Sequence, residues 1–155
     1  MDELIIPEEV MAKATAIAIQ MLIAKYESLD MRASGKWADE LEVVREPNKA
    51  IIRGMDYTQY LTHGRPPSDR LPPVDKIYQW MMDKQSFSGE KTLSRAWAIA
   101  KKIQKEGTSW YPNGSDLLEV LEDPKTIEEF SKVIGDYLIV YISEDLIRHA
   151  KQLPI

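Results

Sequence analysis

The chain contains no cysteine. Disulfides and thiolate metal sites are thereby excluded, which fits assembly in a reducing cytoplasm. Histidine is nearly absent too: the two present, His63 and His149, stand far apart. No HExxH motif, EF-hand loop or Cys/His cluster occurs. The seven glycines never form GxGxxG or GxxxxGK[ST], so the common phosphate-cradling loops are missing. Long apolar runs are missing as well. The most apolar stretch, 14–24, is about half a membrane span and contains Gln20. The start, MDELIIPEEV, is acidic and lacks a basic segment followed by an apolar run, so no signal peptide is expected. Asn113-Gly114-Ser115 matches a glycosylation sequon, which without export has no consequence.

Basic excess is also lacking. Lys and Arg number 20 against 25 Asp and Glu, a net charge of −5. Proteins that seek phosphate backbones usually carry the opposite balance, so sequence-directed nucleic-acid binding is disfavoured. A mild acidic excess suits ordinary solubility, and equally a surface past which DNA must slide without sticking.

What is present reads as one soluble domain over 1–155, with 44% hydrophobic and 29% charged residues. Pro7 suits the first position of a helix over about 7–29, with Glu8 and Glu9 at its positive end. Val10, Ala14, Ile17, Met21 and Ala24 recur at helical spacing, and Ile19, Ile23 and Tyr26 add a second stripe. A helix apolar on more than one face needs cover from its own domain or from a neighbouring subunit. Ser34-Gly35 breaks the pattern. Two β-rich runs, 41–46 and 50–53, flank a turn at Pro47-Asn48-Lys49 and predict a β-hairpin packed on the helices.

Asp56 and Gln59 have the spacing of a capping box for a short helix ended by Gly64. Pro66-Pro67 and Pro72-Pro73 then make 63–73 an extended, stiff loop. Val74, Ile77, Tyr78 and Met81 mark one amphipathic helix starting at Pro73. Leu93, Ala96, Trp97, Ala100 and Ile103 mark the next, with Trp97 expected in the core and Gly107 at the end. Asp116 and Glu119 form another capping-box pair. Asp123-Pro124 starts a last helix to about residue 151, although Gly135 and the β-rich run 137–142 make a strand its rival. The fold class is therefore α+β: a helix-rich single domain with a β-hairpin or small antiparallel sheet on the helices.

Nothing here composes a catalytic site. Ser94 and Ser131 fall inside helical patterns, outside any nucleophile elbow. Asp39, Glu40, Glu42 and Glu46 cluster near the hairpin, where alternation predicts a solvated face and not paired acid-base carboxylates. No metal or cofactor is implied. The aromatics are more telling. Tyr57, Tyr60, Trp80, Trp97, Trp110 and Tyr111 all fall within 56–111. Trp110 and Tyr111 lie on a loop, where large rings either lid a core or anchor a partner.

The order of parts across about 29–112 resembles the tail-completion, or neck, proteins of tailed bacteriophages. The residues carrying this are Arg32-Ala33-Ser34-Gly35 before the hairpin and Tyr57-x-x-Tyr60-Leu61-x-x-Gly64-Arg65-Pro66 after it. Pro72-Pro73-Val74-x-x-Ile77-x-x-Trp80 follows, and then Ala96-x-x-Ile99-Ala100-Lys101-Lys102-Ile103-x-Lys105-x-Gly107-Thr108. The resemblance implies a non-enzymatic virion protein, assembled in the host cytoplasm into a hexameric ring at the head–tail junction. Its partners would be further copies of itself, the tail tube or tail terminator protein, and the head–tail connector or portal adaptor. Double-stranded DNA would pass through without sequence-specific binding, and no membrane would be involved. Interface loops are expected at 63–71 and 108–114. Tyr57, Tyr60, His63, Arg65, Arg70, Trp110 and Tyr111 are the candidate contact residues. The rival readings are a tail terminator capping the tail tube, a small metal-dependent hydrolase or nuclease, and a cytosolic peptide-binding module.

Overall fold

The first helix, α1, spans Glu8–Ser28 in the computed structural model, which describes residues 4–152. Pro7 stands one position before it as the cap, and not as its first residue. Its carbonyl accepts hydrogen bonds from the Val10 and Met11 amides at 3.0 and 3.1 Å. The buried line of α1 is Met11, Ala14, Thr15, Leu22 and Tyr26. Of the two expected stripes only Ala14 and Tyr26 are in it, and Ala24 is exposed. With apolar residues on every face, periodicity could not choose the inward side; packing on the rest of the fold did. Thr15 is tolerated there because its hydroxyl donates to the Met11 carbonyl at 2.6 Å.

After Gly35, whose φ is 88°, the single turn α2 (Lys36–Asp39) points Trp37 into the core. That core gathers Tyr26, Met31, Trp37 and Leu117, with Leu61 and Trp110 packed against it. Tyr26 and Trp37 stack with ring centroids 4.7 Å apart, and Trp37 Nε1 donates to Thr58 Oγ1 at 2.9 Å. The hairpin forms as expected, β1 (Glu42–Glu46) antiparallel to β2 (Lys49–Arg53), closing on the pair Glu46 and Lys49. Asn48 takes the left-handed φ of 59° that the turn requires. Its side chain accepts from the Ile6 amide at 2.8 Å and donates to the Leu4 carbonyl at 2.7 Å, tying the turn to the N-terminal segment. Ala50 and Ile52 share a cleft with Met11, Thr15 and Ala18, so one hairpin face lies on α1.

Helix α3 is Thr58–His63, α4 is Val74–Asp83 and α5 is Leu93–Glu106. Neither expected capping box forms. Tyr57 precedes α3 without a side-chain cap, and the Asp116 carboxylate instead meets Lys25 Nζ at 2.6 Å. Thr92 does cap α5, accepting from the Arg95 amide at 3.2 Å. The core expectation for Trp97 is corrected: it is 46% exposed. Ala96 and Ala100 are buried instead, small residues that let α5 approach α4 closely and turn Trp97 outward.

A 3₁₀ turn, Leu118–Leu121, leads into α6 (Pro124–Gln152). Asp123 Oδ1 accepts from the Lys125 amide at 2.9 Å, with Pro124 in the first turn as expected. The rival strand at 137–142 is not formed. Tyr137 and Tyr141 pair along the helix, centroids 6.1 Å apart. Helix α6 packs along α1, bringing Phe130 and Ile134 to the cleft lined by Met11 and Thr15. The whole is α+β, helix-rich with a small antiparallel sheet.

Candidate functional site

Gly64 ends α3 with φ 76° and ψ 164°, a conformation open only to glycine. The chain then runs extended across the C-terminal end of α5. The Arg65 amide donates to Thr108 Oγ1 at 2.8 Å, and the Thr108 amide donates back to the Arg65 carbonyl at 3.0 Å. The Ser68 amide donates to the Gln104 carbonyl at 3.0 Å, and Gln104 Nε2 to the Asp69 carbonyl at 2.8 Å. Ser115 closes the far side, its amide and hydroxyl donating to the Thr62 and Leu61 carbonyls at 2.7 and 2.6 Å. A Cβ on Gly64 would stand 2.6 Å from the Trp110 carbonyl carbon, and one on Gly107 3.3 Å from Pro67 Cδ. The loops expected separately at 63–71 and 108–114 are therefore one hydrogen-bonded body.

Beside this body, α3, α4 and α5 enclose a groove of about 680 Å³. Of the candidate contact residues, Tyr57, Tyr60, Arg65 and Trp110 line it together. The other three do not. His63 and Arg70 are exposed outside it, Arg70 with its amide on Ser68 Oγ at 3.0 Å. Tyr111 lies on the outer side, 40% exposed, its amide donating to the Thr108 carbonyl at 3.0 Å. Trp110 both lids the core and walls the groove.

The groove is apolar in body, with Ile77, Trp80, Ile99 and Ile103, and basic at its edges, with Arg65, Lys76, Lys84 and Lys102. Its single lining carboxylate, Asp30, is already engaged by Lys84 at 3.4 Å and by the Ser86 hydroxyl at 2.9 Å. Arg65, Lys76 and Lys102 make no ion pair among the described residues. This local positive field on an acidic chain escaped the sequence reading. Its signal was Lys76 beside Ile77 and Lys102 beside Ile103, lysines bordering two apolar stripes that face each other.

A second, open cleft lies next to it, lined by Asp39, Glu40, Glu42 and Asp56 with Arg53. Three of the four carboxylates expected to cluster meet here; Glu46 lies at the turn, 3.4 Å from Lys49. Tyr57 borders both clefts, and burial together with the nearby Glu40 carboxylate pushes its phenol above the usual range. No group of three or more His, Asp or Glu is placed to hold a metal among the described residues. None of the described helices is long and apolar enough to cross a membrane. No protein-family model, curated protein or solved structure matches the chain.

Proposed function

We propose that the chain is a non-enzymatic structural subunit of a tailed bacteriophage, forming a hexameric ring at the head–tail junction. It joins the tail tube to the connector, and DNA passes through the ring without sequence-specific binding. The observation that carries this reading is the convergence at one end of the molecule of the motifs that suggested it. The Gly64-Arg65-Pro66 turn and the Gly107-Thr108 helix end meet as one braced body, and the Pro72-Pro73 helix start lines the aromatic groove beside it. A body pre-stiffened by prolines and reciprocal hydrogen bonds loses little conformational entropy on docking, as suits a part that must seat on unlike neighbours.

The test is the mass of the purified protein in solution, alone and after mixing with tails that lack their head-proximal components. A ring, or a monomer that joins such tails and makes them competent to accept heads, is the expected result. A monomer that ignores both tails and capsids overturns the reading. Tails capped but still unable to accept heads would instead identify a tail terminator.

A further inference from the structure

Over 65–108 the chain makes an excursion that returns to where it left. The two ends, Arg65 and Thr108, lie side by side, tied by their reciprocal hydrogen bonds. Between them stand α4 and α5, which pack on each other and on no other helix or strand to a comparable extent. The core of Tyr26, Met31, Trp37 and Leu117 contains no residue of this excursion, and neither do the partly buried side chains packed against it. Met81, Ala96 and Ala100, the fully buried side chains of α4 and α5, lie outside that core.

Polar links between the excursion and the remainder are confined to two places. Among the described residues, every side-chain hydrogen bond or ion pair across the divide joins Lys84 or Ser86 to Asp30 or Arg32. The one backbone bond across it sits where the strands leave, from the Tyr111 amide to the Thr108 carbonyl at 3.0 Å. The groove runs between the two parts. Leu29, Tyr60 and Leu61 belong to one wall, and Ile77, Trp80 and Ile99 to the other. The parts therefore face each other across an unfilled cleft instead of a packed interface.

We infer that 65–108 is a hinged arm, latched to the core by Lys84 on Asp30, and that releasing the latch widens the groove. Hinges are made by a few residues at element ends that absorb a change of backbone angle. Gly64, just past α3, and Ser109, beyond the end of α5, are placed to do so, and rotation there leaves the Arg65–Thr108 bonds intact. Opening hands the Lys84 ammonium and the Asp30 carboxylate to water, which replaces most of what each loses. The latch is therefore reversible. The inference goes beyond the ring reading and stands without it.

The absence of native cysteine makes the test clean. Spin labels are placed on the full chain at Gln59→Cys in α3 and Ser94→Cys in α5, both exposed, and their separation is read by pulsed electron resonance. Ser94 stands about 18 Å along α5 from the hinge end, so rotation of the arm shows there. With Lys84 present, one narrow distance is expected. Lys84→Met should raise the ratio of a second, longer distance to the first by about tenfold or more. A control pair at Gln59→Cys and Ser131→Cys, both outside the arm and exposed, should keep its single distance. Asp30→Asn is the milder second variant: it keeps the backbone carbonyl that Lys84 also reaches, and asparagine tolerates the φ of 53° there. It should lengthen the arm distance in the same sense and by less. One narrow distance in both variants overturns the inference, since packing alone would then hold the arm. Broadening of the control pair along with the arm pair also overturns it, in favour of general loosening.

Discussion

Lys84, at the end of α4, reaches Asp30, just past the end of α1: its ammonium donates to the Asp30 carbonyl and lies 3.4 Å from the Asp30 carboxylate. The lysine is 9% exposed and also sits 3.4 Å from the Arg32 carbonyl. It joins the α4–α5 pair to the core. Replacing it with Met keeps the apolar stem and removes every donor, leaving the Asp30 carbonyl without that partner. Lys84→Met should therefore lower unfolding free energy by about 1–3 kcal/mol. The check is urea denaturation followed by tryptophan fluorescence, since Trp80 lies against the Lys84 ammonium at 5.9 Å. An unchanged midpoint would show that the lysine is held by packing alone.

Gly64→Ala tests the braced loop body. The backbone conformation alone costs a non-glycine residue about 1–3 kcal/mol. The added methyl would also press on the Trp110 and Tyr111 backbone, 2.6 and 2.9 Å from the nearest carbonyl carbon and Cα. The expected result is a lower melting temperature together with faster amide exchange at Arg65 and Thr108. Unchanged protection of those two amides would mean that the loops are not braced against each other.

Acid should weaken one specific contact. The Lys25 hydrogen bond holds the Asp116 carboxyl below its usual pKa of 3.8. A carboxyl whose folded value lies below its unfolded value stabilises the fold above the unfolded value, and that stabilisation is lost as pH falls through the folded one. The window therefore opens near pH 3.8 and extends downward. Asp116→Asn should lower stability slightly in the neutral region, where the carboxylate pair is intact, and flatten this limb, so that the two stability–pH curves converge at acid pH. A limb of the same steepness in the variant would remove Asp116 from the account.

Burial of Tyr26 acts at the other end of the scale. Packed on Trp37 and 4% exposed, its phenol is pushed above the usual value of 10.0. Folding then favours the protonated form, so stability is full below about pH 10 and falls as pH rises through the folded value. Tyr26→Phe should lessen the alkaline loss of stability. Equal alkaline unfolding in both proteins would assign it elsewhere.

These residues also mark what the sequence could disclose. Helices α4 and α5 were legible because their apolar residues fall on one face, and α6 because Asp123-Pro124 states where it starts. Helix α2 was not, since four residues are too few to show a 3.6-residue period. Trp37 was lost with it. Trp97 was misplaced because a large ring on an apolar stripe competes with alanine for the inward position, and close helix approach favours alanine. In the groove, Tyr57, Tyr60, Arg65 and Trp110 were found through aromatic and arginine enrichment. Lys76 and Lys102 were not, because a lysine beside an apolar stripe is by default a solvated one. Only the meeting of two helices gives it a field to share.

Gly135 gives the sharpest test of how the last helix was built. It lies inside α6, where glycine costs about 1 kcal/mol relative to alanine, and a Cβ there would meet nothing within 4 Å. It needs no special backbone angle, so nothing among the described residues calls for glycine. Gly135→Ala should raise unfolding free energy by about 0.5–1 kcal/mol, seen as a higher urea midpoint and more helical circular dichroism. If 137–142 were a strand entered through a glycine turn, the same change would destabilise the protein. A gain in stability with weakened self-association would add that a neighbouring copy approaches the backbone at this point.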